Sequence, residues 1–325
     1  MKIRSAVVVS AALLLVSACG GGGQIGDSGS GNSAANKKLV LIPGITAEPF
    51  YISMQCGFEE AAKAAGYEFD TQAPAKFDAA QQTPIVTGIL ASKPAAVLIA
   101  PTDDKAMAGP MKQLKDAGIK VVEVDTKLQD TSIGVSSISS NNEQGGKLAA
   151  ETLNKLAAGK SGSVLVLNTK AGTSTTDARA KGFEDAIKAF PNLKYIGQQY
   201  TDNEPATAAS KVTATLAANP DLIGVFATNL NTGEGAATGL RNAGKTGTVN
   251  LVGFDASPNQ VKDLQAGTVQ ALIAQDPGTI GKQGVEQALA AIDGKETKRN
   301  IETDLVAITK DDASANSKYF YKQSC

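Results

Sequence analysis

Residues Gly239 to Thr246 read GLRNAGKT and satisfy the pattern G-x-x-x-x-G-K-[ST], in which backbone N–H groups cradle phosphate and a Lys reaches toward it. That chemistry needs a strand feeding the glycine loop and a helix opening at the Lys. Here the flanks run the other way. GVFATNL reads as a strand, GEGAATGLRNAG carries Ala and Leu at helical spacing, and Gly244 reads as the left-handed glycine that closes that helix. Val249 to Val252 then opens the next strand, so Lys245 and Thr246 fall on a surface turn and the pattern is not a nucleotide site. The chain contains no histidine, which excludes Ser-His-Asp and Cys-His triads, the usual zinc sites and the commonest general base. No metal or cofactor is expected. What remains is the chemistry of carboxylates and amides. Asp125 ends VVEVD and Asp255 ends LVGFD, and a carboxylate accepts hydrogen bonds from vicinal hydroxyls at ~1.5 to 3 kcal/mol each. A few such bonds reach micromolar affinity, about −8 kcal/mol. The competing structural roles are a helix cap for an Asp after a strand, and core packing for the Phe beside Pro49.

The elements that must position these groups alternate regularly from Leu39 onward. LVLI, YEFDTQ, AVLIA and KVVEV are short apolar runs, separated by segments with helical spacing that end in Gly or Ser. After the polar stretch SSISSNNEQGG a second series follows: SVLVL, LKYIGQQ, LIGVFA, VNLVGF and VQALIA. The alternation predicts an α/β fold with two doubly wound parallel-sheet domains. The 325 residues, 42% hydrophobic and 19% charged, suit two soluble domains. A net charge of −1 with scattered charges leaves no basic footprint, so no nucleic-acid partner is expected. The halves also echo each other. ILASKPAAVLIAPTDDKAMAGPMKQLKDAGIKVVEVD and TLAANPDLIGVFATNLNTGEGAATGLRNAGKTGTVNLVGFD match element by element, each ending in Asp. Open parallel sheets place ligands beyond the carboxyl ends of their strands, so two such edges facing each other make a cleft.

The first residues form a targeting segment: Lys2 and Arg4, an apolar run from Ala6 to Val16 too short to span a bilayer, then VSAC. This resembles a bacterial lipobox, which implies a signal peptide over 1–18, diacylation of Cys19 and a Gly/Ser-rich tether over 19–37 to a cell membrane. The alternative is an ordinary secretory signal with an incidental Cys. Cys56 and Cys325 form an even pair in an exported chain, which favours a disulfide worth ~4 kcal/mol. Two separate thiols are the alternative.

With those residues in view, the chain resembles the periplasmic sugar-binding proteins of ABC importers, in the ribose-binding-like branch related to LacI-type regulators. The motifs that carry it are EPFY (Glu48 to Tyr51), APTD (Ala100 to Asp103), Asp125, SSNNEQGGK (Ser139 to Lys147), GTSTTDARAKGF (Gly172 to Phe183), Asn229, Asp255 and Gln275. The resemblance implies two lobes joined by three crossovers, 38–139 with 276–304 and 140–275 with 305–325. It also implies a monomer working with a permease and its ATPase subunit, and no enzyme. Asp125, Asn229, Asp255 and Gln275 fall on the family's polar ligand positions, Phe50 and Tyr51 on its aromatic wall, and Glu48 and Ser140 lie in two of the matching motifs.

The departures bear on the ligand. Where ribose-binding relatives carry arginines this chain has Thr126 and Asp177, and where they carry a second stacking aromatic and an amide it has Asn203 and Ala100. Glu48, Asp125, Asp177 and Asp255 with no evident cation predict a donor-rich ligand: a small neutral sugar, a polyol or an amine. A glycosidase, with paired carboxylates, is one rival. A regulator core is another, but it would need a basic helix-turn-helix where the lipobox stands. A sensor that presents a signalling sugar to a receptor keeps the same fold.

Overall fold

The computed structural model describes residues 37–325. The signal segment, Cys19 and nearly all of the tether lie outside the described residues. Two six-stranded sheets form the core. The first contains β1 (Lys38–Ile42), β2 (Glu68–Thr71), β3 (Ala96–Ile99), β4 (Lys120–Val124), β5 (Ser136–Ser140) and β11 (Asn300–Thr303), in the order β2-β1-β3-β4-β5-β11. The second contains β6 (Gly162–Asn168), β7 (Leu193–Tyr200), β8 (Leu222–Ala227), β9 (Asn250–Phe254), β10 (Ala271–Gln275) and β12 (Leu305–Thr309), in the order β7-β6-β8-β9-β10-β12. The two orders are the same. All pairings are parallel except β10 with β12, which is antiparallel. These are two parallel-sheet α/β domains, and the chain passes between them after β5, after β10 and between β11 and β12.

Helices cover the sheets, so the central strands are buried on both faces and read as continuous Val, Leu and Ile runs. In the first lobe these are α1 (Pro49–Ala64), α2 (Ala79–Ser92), α3 (Ala108–Asp116) and α9 (Pro277–Ile292). In the second they are α4 (Asn142–Ala157), α5 (Ser174–Ile187), α6 (Pro205–Ala218), α7 (Leu230–Asn242) and α8 (Pro258–Gln265). Two glycines set the approach of α4 to α5: a Cβ at Gly146 would lie 1.9 Å from the Arg179 carbonyl oxygen, and one at Gly182 would lie 2.1 Å from that of Glu143. No helix among the described residues is long and apolar enough to cross a membrane.

The GLRNAGKT segment is a helix end. α7 stops at Asn242, Gly244 takes φ +63°, and the Lys245 N–H bonds back to the Leu240 carbonyl. Three strands were not visible in the sequence pattern. SSISS, read there as part of a polar stretch, is the buried strand β5, and the edge strands β11 and β12 lie beyond the two apolar series.

Candidate functional site

The carboxyl ends of both sheets face one cavity. In each lobe the first strand feeds a helix whose opening residues reach it: Glu48, Phe50 and Tyr51 at the start of α1, and Thr173, Thr175, Thr176 and Arg179 at the start of α5. These are the points where the strand order reverses, where open α/β sheets place their ligands.

Asp125 and Asp255 stand one residue beyond β4 and β9, with φ of +62° and +81°. A non-glycine residue in this region is held at a cost of about 1 to 3 kcal/mol, and such strain gathers at functional sites. Asp125 accepts from the Tyr51 hydroxyl at 2.8 Å. Asp255 accepts from the Tyr321 hydroxyl at 2.8 Å, the Gln275 side-chain amide at 2.6 Å and the Leu230 N–H at 2.8 Å. Phe50 meets Tyr51 edge to face, ring centroids 5.1 Å apart.

Glu48 receives the Asn231 side-chain amide from the opposite lobe at 3.1 Å. Burial, followed by the like charges of Asp255, Asp125 and Glu234, pushes its carboxyl up to about 8. Burial likewise raises Asp125 to about 6, although Arg179 and the Tyr51 hydroxyl act against the rise. Further bonds between the lobes close the cleft: Lys76 to Glu204 at 2.9 Å, the Asp104 N–H to the Gly172 carbonyl at 3.0 Å, and the Lys127 N–H to the Ser174 hydroxyl at 2.9 Å.

Nine of the eleven residues expected to touch ligand line the cavity: Glu48, Phe50, Tyr51, Asp125, Thr126, Asn203, Asn229, Asp255 and Gln275. Some of their capacity is already used. Asn229 caps α7 through Thr232 and donates to Asn203, while Gln275 accepts from Arg179 and Ser140.

Ser140 and Asp177 do not line the cavity. Ser140 lies at the first crossover, its hydroxyl taken by Gln275 at 2.8 Å, so it supports the site from behind. Asp177 accepts from the Asn168 side chain and the Gly172 N–H, both at 2.9 Å, and so holds the loop that enters α5. Helical register explains the correction. Thr175 and Arg179 stand four residues apart on one face of α5, and Asp177 falls on another.

The expectation of a cavity without a cation is also corrected, because Arg179 is buried in its lining. Its guanidinium lies 3.7 Å from the centre of the Phe254 ring and donates to the Asn142 side chain, the Thr228 carbonyl and Gln275. The motif GTSTTDARAKGF contained the signal, two residues beyond the Asp that was read as standing in an arginine's place. Phe77, on the loop after β2, and Thr169, Thr173, Thr175 and Thr176 were also missed. The Thr173 hydroxyl is buried without a hydrogen-bond partner among the described residues.

The family model for a periplasmic binding protein domain matches residues 39–296. The chain belongs to this family. It is 33% identical over 285 residues to the ribose import binding protein RbsB of Escherichia coli (strain K12), covering 86% of this chain and 93% of that protein. An ABC transporter solute binding protein from Agrobacterium vitis, solved with alpha-D-tagatopyranose, shares 38% identity with a TM-score of 0.85 over 88% of this chain and 99% of its own. A second from the same organism, solved with D-fucose, shares 28% identity with a TM-score of 0.82 over 87% of this chain and 100% of its own. The fold is that of type I periplasmic binding proteins, and the homologues are solute-binding proteins of ABC sugar importers, not enzymes.

Proposed function

We propose that this protein is the extracytoplasmic solute-binding component of an ABC importer. It takes a small neutral sugar or sugar alcohol into the cavity between its lobes and delivers it, as a lipid-anchored monomer, to a permease driven by an ATPase subunit. The observation that carries this reading is the pair of strand-tip carboxylates, one from each lobe, in a cavity that also holds an aromatic wall and a threonine hydroxyl without a partner among the described residues.

Carboxylates take ligand hydroxyl protons, Phe50 covers an apolar C–H face, and Arg179 offers donors to an oxygen that can only accept. That last group favours a cyclic sugar, with its ring oxygen, over an open-chain polyol. Asp125 and Asp255 together outweigh the one Arg179, which disfavours a sugar acid.

Thermal shift over D-ribose, D-tagatose, D-fucose, C4 and C5 polyols and D-glucuronate tests this, since a ligand at 100 times its Kd adds about 2.7 kcal/mol. A neutral cyclic sugar is expected to give the largest shift. A shift with glucuronate alone, or with no sugar or polyol, would overturn the reading. Mass spectrometry of the membrane-extracted protein is expected to find a diacylated Cys19, and Cys19→Ala is expected to release the protein from the membrane.

A further inference from the structure

After β12 leaves the second sheet, the chain does not stop beside it. At Tyr321 it passes behind the cavity wall. The Tyr321 N–H bonds to the Ala256 carbonyl at 3.0 Å, next to Asp255. Its hydroxyl donates to Asp255 at 2.8 Å and accepts from the Gln275 N–H at 3.3 Å. Its ring packs edge to face on Phe50 of the other lobe, centroids 5.8 Å apart, and the residue is 5% exposed. One residue on, the Lys322 N–H donates to the Ser53 hydroxyl of α1 at 2.7 Å, and Cys325 is joined to Cys56 of the same helix. The tail therefore forms a fourth link between the lobes, and this one is closed by a covalent bond within α1, whose first residues form the aromatic wall.

We propose that this tail is a working part of the sugar site. Tyr321 is a positioning residue that holds the Asp255 carboxylate in its ligand-accepting orientation, and the Cys56–Cys325 bond holds Tyr321 in place. The argument rests on the proposed sugar-binding reading. Leu230 and Gln275 also hold this carboxylate, Gln275 itself accepting from Ser140 at the end of β5, but it is Tyr321 that packs directly on the aromatic wall of the first lobe. A carboxylate held from both lobes is aimed correctly only when the lobes are in register, so its aim is tied to closure.

The variants are Tyr321→Phe, which keeps the ring on Phe50, the double change Cys56→Ser with Cys325→Ser, and Asp255→Asn. The first measurement needs no ligand. Hydrogen exchange of the free protein should show the Gln275 amide exchanging at least tenfold faster in Tyr321→Phe, and residues 318–325 doing so in the double serine variant. Unchanged exchange at these places would overturn the strap. The second is calorimetric titration with whichever of D-ribose, D-tagatose or D-fucose stabilises the wild type most. Tyr321→Phe should weaken binding about tenfold, the double serine variant three- to tenfold, and Tyr321→Phe should add no further loss on top of Asp255→Asn. A purely structural tyrosine would give additive losses, and that result, or an unchanged affinity in Tyr321→Phe, would overturn the positioning role. Full affinity in the double serine variant would overturn the part given to the disulfide. If none of the three sugars binds the wild type, the sugar reading fails while the exchange data still decide whether the strap exists.

Discussion

Asp125 and Asp255 occupy corresponding places in the two lobes and are built almost alike. Each has positive φ, each donates its N–H at 2.8 Å to a carbonyl of the neighbouring strand, Ile138 or Ile273, and each accepts a tyrosine hydroxyl at 2.8 Å. They differ in what else holds them. Asp255 has three protein donors, whereas Asp125 has the one from Tyr51 and a nearby guanidinium charge from Arg179. Duplicated strand tips have thus been put to unequal use. The second carboxylate is locked in place by its three donors, and the first keeps more acceptor capacity for a ligand.

The largest effect is expected from removing the locked carboxylate. Asp255→Ala leaves three buried donors unpaired, at about 1 to 3 kcal/mol each, so urea unfolding should show a loss of about 3 kcal/mol or more together with loss of sugar binding. Asp125→Ala should reverse the emphasis: a stability loss of about 1 kcal/mol, but an affinity loss of about 2 to 3 kcal/mol by titration calorimetry. Equal stability losses in the two variants would break the comparison.

Next in size is the pH response of Glu48. Its carboxyl is raised from an ordinary 4.5 to about 8, so between those values the folded protein binds more protons than the unfolded chain. Stability is then highest at the acid end of that window and falls as pH rises through it, levelling off above about 8. Asp125, raised to about 6, adds a slope of the same sign over a narrower and more acid range. Melting curves of Glu48→Gln should lack the Glu48 part, so its advantage over the wild type should grow between pH 5 and 8. A constant difference across that range would show that Glu48 does not titrate there.

The smallest effect belongs to Asp177→Ala, expected to cost about 1 kcal/mol of stability through the loop before α5 and to leave affinity within twofold. A large affinity loss with unchanged melting would return Asp177 to the ligand.

Most of this architecture was legible because two physical signals coincide. Strands covered on both faces read as apolar runs, and duplicated strand tips read as repeated Asp. Legibility failed where either signal was missing. β5 is buried yet built from serines whose hydroxyls find partners far along the chain, Ser136 on the Lys298 carbonyl and Ser140 on Gln275, which no local pattern announces. Arg179 was missed because choosing between positions two apart on α5 requires the phase of the helix, which α4 sets through Gly146 and Gly182. Phe77 and Tyr321 lie on a loop and a tail, where no periodicity reports which way a side chain turns.

The interleaving of the lobes also fixes an order of assembly. α9 packs on α1 and against β3, β4 and β5, and β11 completes that sheet's edge, yet both follow the whole stretch 141–275 in the chain. A nascent first lobe must therefore wait with Leu98 and Val124, against which Gly284 of α9 later seats, uncovered. The second lobe has β6 to β10 and α4 to α8 contiguous within 141–275 and can close most of its core before α9 emerges, with the edge strand β12 and the tail joining it afterwards. The first-lobe sheet is then the sticky intermediate of this chain, and it is the surface that a holding chaperone would have to shield until α9 has emerged.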